Sequence, residues 1–241
     1  MLEFNTFSIT ARDPRSSALG VAVSTARPCI GALSPFVRAG TGAICSQAFL
    51  NPYLGIDGME LLKQGLGARE ALERVLSGDE YREIRQLAIV DANGEAAAFS
   101  GNQCVAWYGD IIGDGFAVAG NMLVGEATLS EMRRAFLDGM DEDLPERLMR
   151  TLEAAQAAGG DRRGKQSAAL YVATTEEYGY VDIRVDDSPD PVVELRRIFE
   201  VVKQEFLPFV SQLPTRANPK GNRTPQMADE YGRQLDAIYP R

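Results

Sequence analysis

Histidine does not occur once in the 241 residues. Its absence excludes the Ser–His–Asp triad, the Cys–His pair, every imidazole-ligated metal site and any imidazole proton shuttle. A catalytic base here has to be a carboxylate, a tyrosine, an α-amine or a lysine, and lysine is scarce, confined to Lys63, Lys165, Lys203 and Lys220. Cysteine is limited to Cys29, Cys45 and Cys104, widely spaced and without a C-x-x-C pair. Such an odd, dispersed set fits free, mostly buried thiols in a reducing compartment. No apolar run approaches the roughly 18 residues of a membrane span, and Met1-Leu2-Glu3-Phe4-Asn5 has neither the basic start nor the apolar stretch of a secretory signal. The expectation is a cytoplasmic protein with no membrane partner. Positive charge is also in deficit: 25 Lys+Arg stand against 34 Asp+Glu, a net charge of −9. Nucleic acid is therefore not an expected partner, since neutralising phosphates needs a basic face.

What is present is ordinary globular material, 45% hydrophobic and 24% charged, enough to bury a core without disulfides. Phe4–Ala11 and Leu19–Thr25 alternate as strands around the turn Asp13-Pro14-Arg15-Ser16-Ser17. Ile30–Ala39 and Gly42–Phe49 suggest a second strand pair, broken at Asn51-Pro52. Leu61, Leu62, Ala68, Leu72, Val75 and Leu76 share one helical face. Arg85–Val90 and Glu95–Ser100 flank Asn93-Gly94, the clearest hairpin signal in the chain. Two more strands are expected at Trp107–Ile112 and Phe116–Asn121. A helical stretch from Ala127 to Ala158 should be split by Pro145 and stopped by Gly159-Gly160. Strands at Ser167–Thr174 and Tyr180–Val185 precede a helix carrying Val192, Leu195, Phe199, Val202 and Phe206. This order, strand pairs alternating with helices, predicts an α+β fold with helices on antiparallel sheets. A single domain is expected over 1–206. Residues 207–241 read as a Pro-rich C-terminal arm with a short helix from Thr224-Pro225 through Ile238, packed on its own domain or on a second copy in a homodimer.

Several places could carry chemistry. Gly159-Gly160-Asp161-Arg162-Arg163-Gly164-Lys165-Gln166-Ser167 is the densest polar cluster and joins a helix to a strand. Its guanidiniums suit a carboxylate or amide ligand; a solvated helix stop is the plainer reading. Gly120-Asn121 could hold an oxyanion or simply end a strand. Ser46-Gln47 and Asn51 offer donors where a strand runs into a helix. Asp182, Asp186, Asp187 and Asp190 are better explained by helix capping and arginine pairing than by a metal, and no metal or cofactor is expected. Thr6 opens a strand with Ser8 two residues on. A strand-opening Thr is ordinary, but a Thr with its own free α-amine carries its base with it and needs no imidazole.

Thr6-Phe7-Ser8-Ile9, Ala11-Arg12-Asp13-Pro14, Leu19-Gly20-Val21-Ala22-Val23-Ser24, Ala39-Gly40-Thr41-Gly42-Ala43, Asn51-Pro52, Gly120-Asn121, the Gly159–Gly164 loop and Val181-Asp182-Ile183-Arg184-Val185-Asp186-Asp187 recur in order and spacing. Together they resemble the bacterial and archaeal domain-of-unknown-function family 1028, over Thr6 to Phe206. The resemblance implies the N-terminal nucleophile (Ntn) hydrolase fold, a four-layer αββα sandwich of two antiparallel sheets between helices. Relatives of that fold cleave amide bonds with an N-terminal Thr, Ser or Cys; the resemblance itself does not supply the family's own activity or substrate. Family members typically begin Met-Thr-Phe-Ser, whereas here Met1–Asn5 precede Thr6. The expected catalytic residues are then Thr6 and Asn121, with Ser8, Gln47, Asn51, Gly120, Asp161, Arg162 and Gln166 around a small amide substrate. A binding or regulatory protein without turnover, and a hydrolase using a carboxylate base such as Asp161, remain open as alternatives.

Overall fold

The structure, a computed structural model, describes residues 6–222, 224–227, 229–230 and 233. The chain divides into two compact units, Met1–Phe199 and Glu200–Arg241.

In the first unit, the strands β1 (Thr6–Arg12), β2 (Leu19–Thr25), β3 (Pro35–Arg38), β4 (Gly42–Ala48), β5 (Arg85–Asp91), β6 (Ala96–Ser100), β7 (Gly109–Gly113), β8 (Phe116–Asn121), β9 (Ser167–Ala173) and β10 (Val181–Val185) form two sheets. One has the order β10-β9-β2-β1-β8-β7 and the other β3-β4-β5-β6. Every pairing is antiparallel. The fold is thus α+β with two antiparallel sheets, and β1 lies in the middle of the larger one, hydrogen-bonded on both sides. Asn93-Gly94 turns as the sequence suggests: Asp91 Oδ1 accepts Asn93 N at 2.8 Å and Glu95 N at 3.0 Å, and Gly94 takes φ 93°, open to glycine without a Cβ clash.

Helices α1 (Pro52–Lys63) and α2 (Ala68–Ser77) cover the four-stranded sheet, burying Leu54, Met59, Leu62, Leu72, Val75 and Leu76 against Ile44, Leu87 and Ile89. Helices α3 (Ala127–Asp138) and α4 (Leu144–Ala157) contact β1, β2, β8 and β9 of the other sheet. There the Phe116 and Phe136 rings meet at 4.9 Å. Helix α5 (Pro191–Val201) is tied to α4 by Arg196, which reaches Glu146 and Glu153, each at 2.7 Å.

Two expectations are corrected. The apolar periodicity from Leu61 to Leu76 belongs to two helices, interrupted at Gly65-Leu66-Gly67. The strand pattern does break at Asn51-Pro52, and the helix starts there: Asn51 Oδ1 accepts Tyr53 N at 3.1 Å and Pro52 occupies the first turn. Ile30–Ala32 is a 3-10 turn entered through Cys29 at φ 61°, leaving β3 only four residues long.

In the second unit, a π-helical stretch Val202–Phe206 runs into one helical turn, Leu207–Val210. Asn218 then pins the following loop by donating from Nδ2 to Gly221 O and Asn222 Oδ1 at 2.9 Å each. The helix expected from Thr224 to Ile238 falls largely outside the described residues, as does the segment Met1–Asn5.

Candidate functional site

Directly opposed residues of an antiparallel pair project to the same face. Thr6 is opposed by Thr25 on β2 and by Asn121 on β8, so these three side chains share one face. That face looks at the second sheet, because Asn121 Nδ2 donates to Gln86 Oε1 of β5 at 2.9 Å. Ser8 and Thr10 follow at the strand period of two. The Thr6 side chain is completely buried (0% exposed), and its hydroxyl lies 3.4 Å from Thr25 Oγ1, to which it donates.

Gln86 is the hub of the layer. Its Oε1 accepts from Asn121 and, at 2.6 Å, from Gln47 Nε2. Its Nε2 faces Ser100 Oγ at 2.7 Å, Gly120 O at 3.0 Å and Gly109 O at 3.1 Å. Ser100 Oγ passes the chain on to Asp110 Oδ1 at 2.6 Å. On the other side Cys45 Sγ donates to Gln47 Oε1 at 3.6 Å and sits 3.2 Å from Ser34 Oγ. Burial pushes the Cys45 thiol up, partly offset by Ser34 and by the nearby Ser8 hydroxyl. A thiol so held is not the nucleophile of the layer. Among the described residues, Ser8 Oγ, near Cys45, and Thr10 Oγ1 are buried without a hydrogen-bond partner.

The Gly159–Gly164 loop closes over the end of β1. Gly159, Gly160 and Gly164 all take positive φ, 108°, 56° and 114°, a path side chains resist. Asp161 forms an isolated bridge with Leu123. Its Oδ2 accepts Ala26 N at 3.1 Å and its Oδ1 accepts Arg163 N at 2.9 Å. Arg162 N donates to Met122 O at 3.2 Å. Ala26 and Met122 are the residues just beyond Thr25 and Asn121, so Asp161 ties together the ends of the two strands that flank Thr6. The Arg162 side chain is exposed. Gln166 N donates to Thr25 O at 2.8 Å, while its side chain is engaged by Asp187 Oδ1 at 3.0 Å.

The structure thus gathers Thr6, Ser8, Gln47, Gly120 and Asn121 in one buried layer, with Asp161, Arg162 and Gln166 anchored at its rim. Gly120 contributes a carbonyl to Gln86, and a Cβ there would stand 2.6 Å from Leu123 Cδ1, which accounts for glycine. Asn51 is placed differently. Its side chain caps α1 and donates to Asp79 Oδ2 at 3.1 Å, on the wall of a groove along α1. Thr25 and Gln86 were not singled out by the sequence. A Gln in a strand that otherwise alternates Leu87, Ile89 outward and Ala88, Val90 inward was the available signal.

Among the described residues no group of three His, Cys, Asp or Glu comes together in a way that could hold a metal ion. Asp186 pairs with Arg184 at 3.5 Å, and Asp190 pairs with Lys165. Among the described residues no helix is long and apolar enough to cross a membrane.

The profile of the family of unknown function DUF1028 matches residues 6–195. The chain belongs to this family. It is similar to the DUF1028 protein SPO2555 from Silicibacter pomeroyi, whose crystal structure superposes with a TM-score of 0.83 at 30% identity, covering 90% of this chain and 95% of that one. A second similar structure is Anbu (ancestral beta-subunit) from Yersinia bercovieri, at a TM-score of 0.41 and 12% identity, covering 87% of this chain and 98% of that one. No functionally curated protein matches.

Proposed function

We propose that this DUF1028 protein has an Ntn hydrolase-like fold and is an amidohydrolase whose nucleophile is Thr6 once the residues before it are removed. The observation that carries this proposal is the placement of Thr6. It opens the central strand, opposite Asn121 and Thr25, in a polar layer where Asn121 is oriented by Gln86. A freed Thr6 α-amine, with an ordinary pKa of about 7.7–8.0, is available near neutral pH to take the Oγ proton. Oγ then attacks the amide carbon, and the second N–H of Asn121 Nδ2 faces the developing oxyanion. The amine leaves with the proton, and water hydrolyses the ester. Arg162, exposed and anchored beside Met122, binds a carboxylate of the substrate.

The test is a chain beginning at Thr6, compared with the Met1-started chain on a panel of small carboxylate-bearing amides. The Thr6-started chain should release amine, and its Thr6→Ala variant should lose at least about 10²-fold in kcat. Arg162→Ala should lower kcat/KM by about one to two orders of magnitude, the worth of a charged hydrogen bond. Full turnover with Met1 still attached, confirmed by intact mass, would eliminate the free-amine mechanism.

The complete burial of the Thr6 side chain favours a second reading, a ligand-binding protein on the same fold without turnover. An intact Met1 in natively expressed protein, together with a ligand held in the cleft, would favour it.

A further inference from the structure

The edge strands β6 and β7 lie against each other but belong to different sheets. Side chains bridge the gap between them. Gln86 of β5 and Ser100 of β6 are directly opposed. Asp110 of β7 is opposed by Ala119 of β8, which is in turn opposed by Ser8 of β1. Opposed residues share a face, so Asp110 points into the same layer as Ser8 and Asn121. A carboxylate turned inward is costly unless it is paired. Half-buried Asp110 is paired: Ser100 Oγ donates to its Oδ1 at 2.6 Å.

Donor accounting gives every link of this bridge one direction. A carboxylate and a backbone carbonyl only accept. The Ser100 hydrogen is therefore committed to Asp110, and Ser100 Oγ meets Gln86 Nε2, 2.7 Å away, as an acceptor. The Gly120 and Gly109 carbonyls, at 3.0 and 3.1 Å, also require nitrogen at that end of Gln86. Its Oε1 lies at the other end, so Asn121 has to turn Nδ2 toward it, at 2.9 Å. The carbonyls thus set which end of Gln86 is nitrogen, and Ser100, the nearest acceptor, sets how far it reaches across the gap. Ser100 stays an acceptor because Asp110 takes its hydrogen.

We infer that Asp110 is a positioning residue of the Thr6 site. Across three hydrogen bonds, through Ser100 and Gln86, it holds the Asn121 amide with one N–H against the second sheet and leaves the other for an oxyanion. Asp110 touches neither Thr6 nor a substrate in this role; it acts at the far end of a chain whose members polarise and fix one another. The effect on catalysis rests on the Thr6 reaction proposed above, whereas the aim of the Asn121 amide does not.

Nuclear magnetic resonance of the nitrogen-labelled full-length protein reads the Asn121 side-chain amide directly. Asp110→Ala and Ser100→Ala should each move the proton signal of the N–H bound to Gln86 upfield, as that hydrogen bond weakens. Asp110→Asn, whose Oδ1 still accepts from Ser100, should stay near the wild-type position. So should Asp114→Ala, which removes an exposed charge from the turn between β7 and β8. In a chain starting at Thr6, Asp110→Ala should lower kcat about tenfold and change KM less than about twofold, because the oxyanion contact is made only in the transition state. Asp110→Asn should restore kcat to within about threefold of wild type. Asn121 signals unmoved by both alanine variants would overturn the inference, and so would displaced signals with a wild-type kcat. A Thr6-started wild-type chain without turnover would count against the Thr6 reaction instead, and the Asn121 signals would still decide what Asp110 does.

Discussion

The interior of the first unit has two kinds of core, and they differ in what they are made of. On the outer side of the four-stranded sheet, Ile44, Leu87 and Ile89 pack on Leu54, Met59, Leu62 and Leu72. Beyond the six-stranded sheet, Phe116 meets Phe136. Between the sheets the strands present Thr6, Ser8, Thr10, Thr25 and Asn121 on one side and Cys45, Gln47 and Gln86 on the other, all buried, with Ala88, Ala117 and Ala119 among them and an apolar cluster of Leu19, Val21, Val23, Ile30 and Ala43 alongside. The outer cores hold the sheets to the helices by area removed from water. The inner layer adds such area through Leu19, Val21, Val23 and Ile30 against Ala43 and Cys45, but beside that cluster it has to satisfy polar groups in a dry place, where each unmet one is costly. The polar chemistry thus lies in the middle, where a fixed amide can be aimed without reorganising.

The largest expected effect tests the first half of that contrast. Leu87→Ala removes a wholly buried side chain from the α1–α2 core and should cost about 3–5 kcal/mol in denaturant unfolding. A cost under about 1 kcal/mol would mean that the outer core is loosely packed. The next tests the second half. Gln86→Leu keeps roughly the volume but leaves Asn121 Nδ2, Gln47 Nε2 and the Gly120 carbonyl without their partner, and should cost about 2–4 kcal/mol. Because among the described residues Gln86 alone orients Asn121 from the opposite sheet, a Gln86→Leu protein as stable as the wild type would show that the network does not hold the layer.

These two residues also show where the sequence was readable. Leu87 falls on an apolar run next to an Asn-Gly turn, so its strand follows from pattern alone. Gln86 lies on the same strand, but its importance comes from Asn121, 35 positions away, and no local pattern brings the two together. The Gly159–Gly164 loop was legible as a polar junction, yet its partners Ala26 and Met122 arrive by tertiary pairing. The α1 helix was hidden for another reason. Gly55 and Gly58 weaken its helical signal, and both are there for contact: a Cβ would stand 2.2 Å from the Phe36 ring at Gly55 and 2.9 Å from Ile44 Cδ1 at Gly58. The helix lies so close to the sheet that two positions of its inner face, between Leu54, Met59 and Leu62, carry no side chain.

A third, smaller effect separates the buried ion pair at the edge of the outer core from the neutral layer inside. Burial alone would raise the Asp79 carboxyl, but hydrogen bonds from Arg85, Tyr81 N and Asn51, with the Arg85 charge, outweigh it and hold the group below its usual range. A lowered folded-state pKa contributes stability that is complete above the unfolded value of about 3.9 and is lost as pH falls through the folded one. Melting temperature should therefore drop from about pH 4 downward, and Asp79→Asn should flatten that part of the curve while lowering the plateau. The inner layer's amides and hydroxyls do not titrate there, so Gln86→Leu should shift the whole curve without changing its acid slope. An unchanged acid slope in Asp79→Asn would move the acid sensitivity to another carboxylate.

The smallest effect bears on whether the inner layer's polarity is all needed by the fold. Thr10 Oγ1 is buried on β1 and makes no hydrogen bond among the described residues, unlike Thr6, whose hydroxyl donates to Thr25 Oγ1. A hydroxyl in that position carries its desolvation cost with nothing to offset it. Thr10→Val replaces it by a methyl group of nearly the same shape and adds β-propensity no worse than that of Thr. The variant should unfold at equal or higher denaturant, a gain of up to about 1 kcal/mol. Thr6→Val removes a paired hydroxyl by the same isosteric change, and should lose about 0.5–1.5 kcal/mol instead. Opposite signs at two positions on one face of one strand would place the need for polarity at the Asn121 end of the layer. A loss at Thr10 equal to that at Thr6 would make the whole face of β1 polar for the sake of the fold, and the contrast between the two ends would vanish.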